Sequence, residues 1–459
     1  MQWQQMPSKL SLFMIIALLI AACGGISTSP QGETGSTGDA GETGDTSEQE
    51  GETGDAEVAP EPTGDAVTIR WRTRPSDAAE QAVYEGLNEI ANEQLADQNI
   101  VVEYDPGVNQ GYFEKLKTEL AAGNAPDIFW IGAAELADFV ATEQILDLQP
   151  LADNDSEFNL DDFYEQPISE LSRDGKLYGL PRDISTMVTY YNVDMFEEAG
   201  LPTPTELAAE GNWTLDTMLE TAQQLTDADQ QRYGLGFGNW WGPSWGYFVN
   251  ASGGSIFNAD GTACALDTSE AIAGATLVQT LYNEELIPVG DADSEALFNA
   301  GNVGMYFNGR WFAPGVRTNA EFNWDVAEMP MGEQQSTWLF WGPYLVNAQT
   351  ESPEAAWEVL KILTSVEAMS QVAQEGTNIP ARTNQEAVDV FLASTPPENN
   401  QAYIAGTEYA VAEAPLWGGS WADYSGTVQS LWDQMIAGQI TPEEFGQQAC
   451  EQTTGAFSQ

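Results

Sequence analysis

Histidine is absent from all 459 residues, so a serine nucleophile here would lack its usual imidazole base. Basic side chains are scarce: 14 Lys+Arg stand against 71 Asp+Glu, a net charge of −57. Such a field repels nucleic acid and anionic lipid head groups, which removes both as partners, and it suits solubility in salty or acidic surroundings. There are only three cysteines. The apolar run "LSLFMIIALLI" (10–20) has eleven residues, whereas a spanning helix needs about 20. What remains is 42% hydrophobic and 10% aromatic, a globular composition. The chain is too long for one ordinary core, and two domains are expected.

Lys9, the apolar run and "IAAC" (20–23) follow the order of a targeting signal. The small residues before Cys23 look like the lipobox of bacterial lipoproteins, which predicts cleavage and a lipid anchor on Cys23; the alternative is an ordinary secretory leader with a chance cysteine. Residues 24–66 repeat GETGD-like units without any aromatic. They cannot bury enough surface to fold and read as a flexible acidic stalk spanning roughly 35–40 Å. Outside the cell Cys264 and Cys450 form an even pair, which predicts a disulfide, with two buried free thiols as the alternative.

From residue 67 strand-like and helical runs alternate. "VTIRW" (67–71), "IVVEY" (100–104) and "PDIFWI" (126–131) are strands. Between them Val83, Leu87 and Ile90 make a one-sided helix, and "YFEKLKTELAAG" makes a second that stops at Gly123. This order predicts an α/β domain with parallel pairing. "VTYYN" (188–192), "VGMYF" (303–307) and "YLVNA" (344–348) are further strands. "SPEAAWEVLKIL" (352–363) is a helix with Ser352 as N-cap and Val359, Leu360 and Leu363 inward.

"GNWWGPSW" (238–245) sets Trp240, Trp241 and Trp245 in a loop broken by Gly and Pro. Three indoles in such a loop either hold a flat ligand or pack a core; glycines beside Trp240 and Trp241 favour exposure. "GPSWG" fits the G-x-S-x-G elbow around Ser244, but the activating histidine is missing and the five lysines lie elsewhere. "DADSE" (291–295) lacks the glycine and distal glutamate of a calcium loop, so neither metal nor cofactor is expected.

The order of six segments resembles the extracellular solute-binding proteins of family 1, which serve ABC importers and include maltose-binding members. They are "AAGNAPDIFWIGAAELADFVATEQILDLQPL" (121–151), "GKLYGLPRDISTMVTYYNVDMFEEAGLPTPT" (175–205), "NWTLDTMLETAQQLTD" (212–227), "FNAGNVGMYFNGRWFAPGV" (298–316), "WGPYLVN" (341–347) and "GTNIPARTN" (376–384). The match covers essentially all of 67–459; Thr189 departs from the usual apolar residue. The resemblance implies a two-lobed α/β periplasmic-binding-protein fold of type II. The lobes would be 67–181 plus 342–380 and 182–341 plus 381–459, crossing near Pro181–Asp183 and Trp341–Gly342.

A sugar site combines flat aromatic faces with hydrogen-bonding groups. The resemblance implies such platforms on the second lobe, where "GNWWGPSW" falls, and Trp311 matches the family's stacking "GxW" position. Trp71, Trp341 and Trp417 join the candidates, as alternatives to plain packing. Of nine arginines, Arg72, Arg74, Arg182, Arg310 and Arg382 fall in motif loops at strand ends, where open α/β sheets bind ligand. Arg182 and Asp183 would hold each other while presenting donor and acceptor, and Glu135 is a further polar candidate. The expected function is capture of a mono- or oligosaccharide outside the cell by a lipid-tethered monomer that delivers it to a permease. The alternatives are a carbohydrate-active enzyme using Asp/Glu and, within binding, an anionic or non-sugar ligand.

Overall fold

The structure is a computed structural model describing residues 66–75, 78–288, 293–375, 378–413 and 415–457. The leader, Cys23 and, except for Ala66, the expected stalk lie outside the described residues. Thirteen strands occur among those described. In chain order they are β1 (Val67–Arg72), β2 (Ile100–Tyr104), β3 (Ile128–Trp130), β4 (Ser172–Arg173), β5 (Lys176–Leu177), β6 (Gly179–Thr186) and β7 (Val188–Asn192). Then come β8 (Tyr233–Phe237), β9 (Val303–Asn308), β10 (Trp324–Ala327), β11 (Trp338–Val346), β12 (Ile379–Pro380) and β13 (Val411–Ala412).

The first sheet runs β12-β6-β11-β3-β1-β2, with β13 also on β11. Its β2, β1 and β3 are parallel, while β11 runs against both β3 and β6. The second sheet runs β10-β7-β9-β8, and β4 and β5 form a hairpin. The pairing is therefore mixed rather than wholly parallel, because the chain returns to the first sheet through β11 from the second.

Local sequence explains most elements. In β1 the period of two buries Ile69 and Trp71. Helix Ala78–Leu95 buries Val83 and Leu87 on one stripe. Helix Tyr112–Ala122 ends at Gly123 in the left-handed region, φ 74°, as its sequence predicts. Helix Pro353–Leu363 buries Val359, Leu360 and Leu363, but the Ser352 hydroxyl makes no cap bond, since its backbone sits at φ −136°, ψ 63°. The strand expected at 344–348 is β11, which starts six residues earlier.

The two segments expected as crossings are neighbours in the first sheet. Gly342 lies opposite Asp183 and Pro343 opposite Pro181, with a bulge between Gly342 and Pro343. All eight residues of β6 are buried. Helix Gln385–Ala393 packs on helix Val366–Glu375 and β12, so this part of 381–459 sits with the first sheet and not with the second. Its Phe391 joins the core that includes Ile69, Phe129 and Leu345. Cys264 and Cys450 are joined by a disulfide, 186 residues apart in sequence, which ties helix Pro442–Gln452 to the segment before Leu266. No helix among the described residues is long and apolar enough to cross a membrane.

Candidate functional site

A cavity of about 720 Å³ opens between the two sheets, and β11 crosses its floor with Phe340, Trp341 and Gly342. On the side of the first sheet, Trp130 ends β3 and Phe113 projects from helix Tyr112–Ala122. Their rings stack at 6.3 Å and 29°. The Arg74 guanidinium stands 5.2 Å from the Trp130 ring centroid and 5.8 Å from that of Phe113. Arg182, on β6, approaches the same indole at 5.4 Å. A cation over an indole face is attracted by the ring quadrupole, so the two arginines fix the wall.

On the other side Trp240, Trp241 and Trp311 close the cavity over Phe340. Trp240 lies 5.4 Å from Phe340 and 6.4 Å from Trp311, and Trp311 meets Phe340 edge-on at 5.4 Å. Trp241 is held from behind by Trp338 at 4.8 Å and Trp421 at 5.2 Å. The glycines of this loop make room rather than expose: a Cβ on Gly242 would come within 2.4 Å of Trp240 and 2.7 Å of Phe340.

Polar groups punctuate this aromatic lining. Arg182 Nε donates to Asp183 Oδ2 at 2.6 Å, and Arg182 also donates to the Tyr84 hydroxyl. Asn378 donates to the same Asp183 oxygen at 2.8 Å. Burial is the largest influence and works against the charge of Arg182, but Asp183, Tyr84, Tyr344 and Glu80 together outweigh it and keep the guanidinium protonated. Arg74 Nε, Trp130 Nε1 and Asn378 Oδ1, in residues lining the cavity, are buried without a hydrogen-bond partner among the described residues. Buried polar atoms left unpaired cost free energy until something pairs them. Glu135 and Glu413 also line it. Burial pushes the Glu135 carboxyl up to about 7. Burial, then the neighbouring Glu135 charge, pushes Glu413 well above the usual range.

The family model for the bacterial extracellular solute-binding proteins matches residues 77–370. The chain belongs to the bacterial extracellular solute-binding proteins. A putative binding protein of Brucella abortus (strain 2308) is 27% identical over 295 residues, 61% of this chain and 68% of that protein. A galactooligosaccharide-binding protein of Bacillus subtilis is 25% identical over 287 residues, covering 58% and 63%. Among solved structures, an ABC substrate-binding protein of Listeria monocytogenes in complex with cycloalternan superposes with TM-score 0.78 at 24% identity, covering 84% of this chain and 98% of that one. One from Thermotoga lettingae bound with alpha-D-tagatose gives 0.74 at 21% identity, covering 86% and 100%. The fold is the two-lobed type II α/β arrangement.

In this solute-binding protein Glu135, Arg182, Asp183, Trp240, Trp241, Trp311 and Trp341 come together at the cavity. Trp341 is nearly buried, its Nε1 donating to the Glu413 carbonyl at 2.8 Å. Six other candidates lie elsewhere. Trp71 points with Ile69 into the first core, against Tyr84, Tyr104 and Tyr344, and donates to Asn88. Arg72 is spent on Asp105 and Glu119. Trp245 is fully buried and donates to Gln429 at 3.1 Å. Arg310 is fully buried between Phe391 and Tyr403, each at 5.3 Å. Trp417 covers the first core beside Tyr178, with Arg173 over its ring at 4.8 Å. Arg382 likewise caps Phe163 at 4.1 Å, outside the cavity. Ser244 is fully buried and its hydroxyl donates to the Trp240 carbonyl, so it is no exposed nucleophile.

Phe113, Trp130, Phe340, Asn378 and Glu413 escaped the sequence reading. Trp130 shares with Trp311 a place at a strand end two residues from a glycine, but not the family position that picked out Trp311. Glu413 carries none, being one of 71 acids.

Proposed function

We propose that this chain captures a mono- or oligosaccharide in the cleft and delivers it to the permease of an ABC importer. The observation that carries this reading is the lining: aromatic rings on both sides, with unpartnered buried Arg74 Nε, Trp130 Nε1 and Asn378 Oδ1 among them. Pyranose faces are apolar and their edges are hydroxyl-rich, which is what flat rings beside single donors and acceptors accept. The saccharides in the names of the Bacillus subtilis relative and the two solved structures support it. Lobes near 67–181 plus 342–380 and 182–341 plus 381–459, with 385–393 packing on the first, would close on ligand, and the closed form would be the one the transporter engages. A monomer tethered through lipid at Cys23, on a stalk of 24–66, would work at the outer face of the membrane or in the periplasm.

A glycan panel tests this. Binding raises the melting temperature with the logarithm of ligand excess over Kd, and the glycan is recovered unchanged. A panel without any shift overturns the saccharide reading, and a hydrolysed glycan replaces it with an enzyme using Asp/Glu.

A further inference from the structure

Resting on that saccharide reading, we propose that the ligand carries a protonated amine, an amino sugar in the chemical sense, seated against Glu135 and Glu413. The charge of the cleft is the starting point. Glu80, Glu135, Asp183, Asp293, Glu295 and Glu413 line it, against the guanidiniums of Arg74 and Arg182 alone. Several of these acids have work inside the protein. Asp183 is bound to Arg182, Glu80 accepts from Tyr84, and Asp293 caps the helix Ser294–Asn299.

Glu135 and Glu413 differ. Glu413 is 8% exposed, and its carboxylate accepts from the Ala134 amide at 3.3 Å, one residue from Glu135. Its main chain is pinned by the Trp341 indole at 2.8 Å. Neither carboxylate has an ion pair with a cation among the described residues. The charged groups near Glu135 are Arg74 beyond β1, Lys117 on helix Tyr112–Ala122 and Asp138 on helix Leu136–Val140. Lys117 is engaged by Asp138 at 3.5 Å, and Arg74 lies over Trp130 and Phe113.

Two carboxylates on one wall, Glu413 buried and Glu135 partly buried, favour taking up a proton or a cation, because unpaired charge with little water around it is costly. An ammonium group answers both and donates three hydrogen bonds. Asn378 Oδ1, buried at 2% exposure and without a partner among the described residues, is a further acceptor in the same cavity. A uronate or phosphate would set its charge against this pair, so the wall disfavours anionic saccharides.

Calorimetry on matched series decides it. Glucosamine, glucose and glucuronate are compared, with their galacto and manno counterparts and the chitosan disaccharide beside cellobiose. In whichever series binds, the amine should bind at least about tenfold tighter than its neutral partner at neutral pH. Binding should release protons to the buffer, and the preference should fade as acid protonates the pair. Glu135→Gln and Glu413→Gln should each remove the preference. A neutral member binding as tightly as its amine overturns the proposal and leaves the saccharide reading standing, without need of a variant. A preference that survives both substitutions also overturns it. If no member of any charge binds, the saccharide reading falls with it.

Discussion

The indole of Trp130 lies across Gly342, and a Cβ at Gly342 would come within 2.0 Å of Trp130 Nε1. The bulge between Gly342 and Pro343 puts β11 under the β3 end at this point. A glycine on the floor is therefore the condition for an indole on the wall. Gly342→Ala should push Trp130 out of its place under Arg74 and Arg182, weakening saccharide binding about tenfold or more, with a stability cost of about 1–3 kcal/mol. Affinity and tryptophan emission, measured together on the folded variant, check this; unchanged values for both would refute it.

The indoles of the second side divide by burial. Trp311 is partly exposed at the cavity, whereas Trp245 is fully buried beside Tyr424. Trp311→Ala should lower saccharide affinity by about 2 kcal/mol with little change in melting. Trp245→Ala should destabilise the fold by about 3–5 kcal/mol through its cavity. Denaturant midpoints and calorimetric Kd values separate the two.

The contrast between Trp71 and Trp311 shows what the sequence could and could not tell. Both are indoles beside an arginine near a strand. Trp71 is in phase with Ile69 inside β1 and so faces the core; Trp311 comes after β9 and Gly309, beyond the regular pleat. Phase within a strand was legible at Trp71 and outweighs residue type. Strand β6 was not legible as a strand: Pro181 breaks the usual propensity, and burial on both faces removes the alternation that marks a half-exposed strand. Arg310 looked like a ligand-binding arginine because its motif did, but its guanidinium is buried against rings 81 and 93 residues further along the chain, Phe391 and Tyr403. Pairings at that range leave no local trace.

The Cys264–Cys450 bond closes a long loop, 186 residues in sequence. In the chain-entropy account such a loop contributes up to about 5 kcal/mol by restricting the unfolded chain. Reduction, or Cys264→Ser with Cys450→Ser, should lower the denaturation free energy by about 2–5 kcal/mol. Thiol labelling of the unreduced, unfolded protein should find neither cysteine free.

Arg182 and Asp183 are each below 10% exposed and hold one another at 2.6 Å. Removing one partner strands the other charge out of water. Asp183→Ala should therefore cost about 3–5 kcal/mol, more than replacing both residues by apolar side chains of similar volume. A double-mutant cycle in urea measures the difference; equal losses for the single and double variants would refute it.

Glu135 gives the empty protein a pH dependence whose sign is fixed. Its carboxyl is held up to about 7 by burial, above its ordinary value of 4.5. The folded state therefore binds its proton more tightly than the unfolded chain does. The stability this supplies is complete below about 4.5 and is lost as pH rises through about 7. Above that the folded protein must carry a carboxylate against Glu413 with little water around it. Glu135→Gln removes the titration while keeping the shape, so the ligand-free variant should melt about 2 °C higher than the parent at pH 8 and match it near pH 5. Scanning calorimetry across this range checks it, and parallel curves for the two proteins would refute the assignment of the shift to Glu135. The same substitution, read with an amine ligand present, should reverse in sign, because the parent then gains a cation that the variant cannot hold.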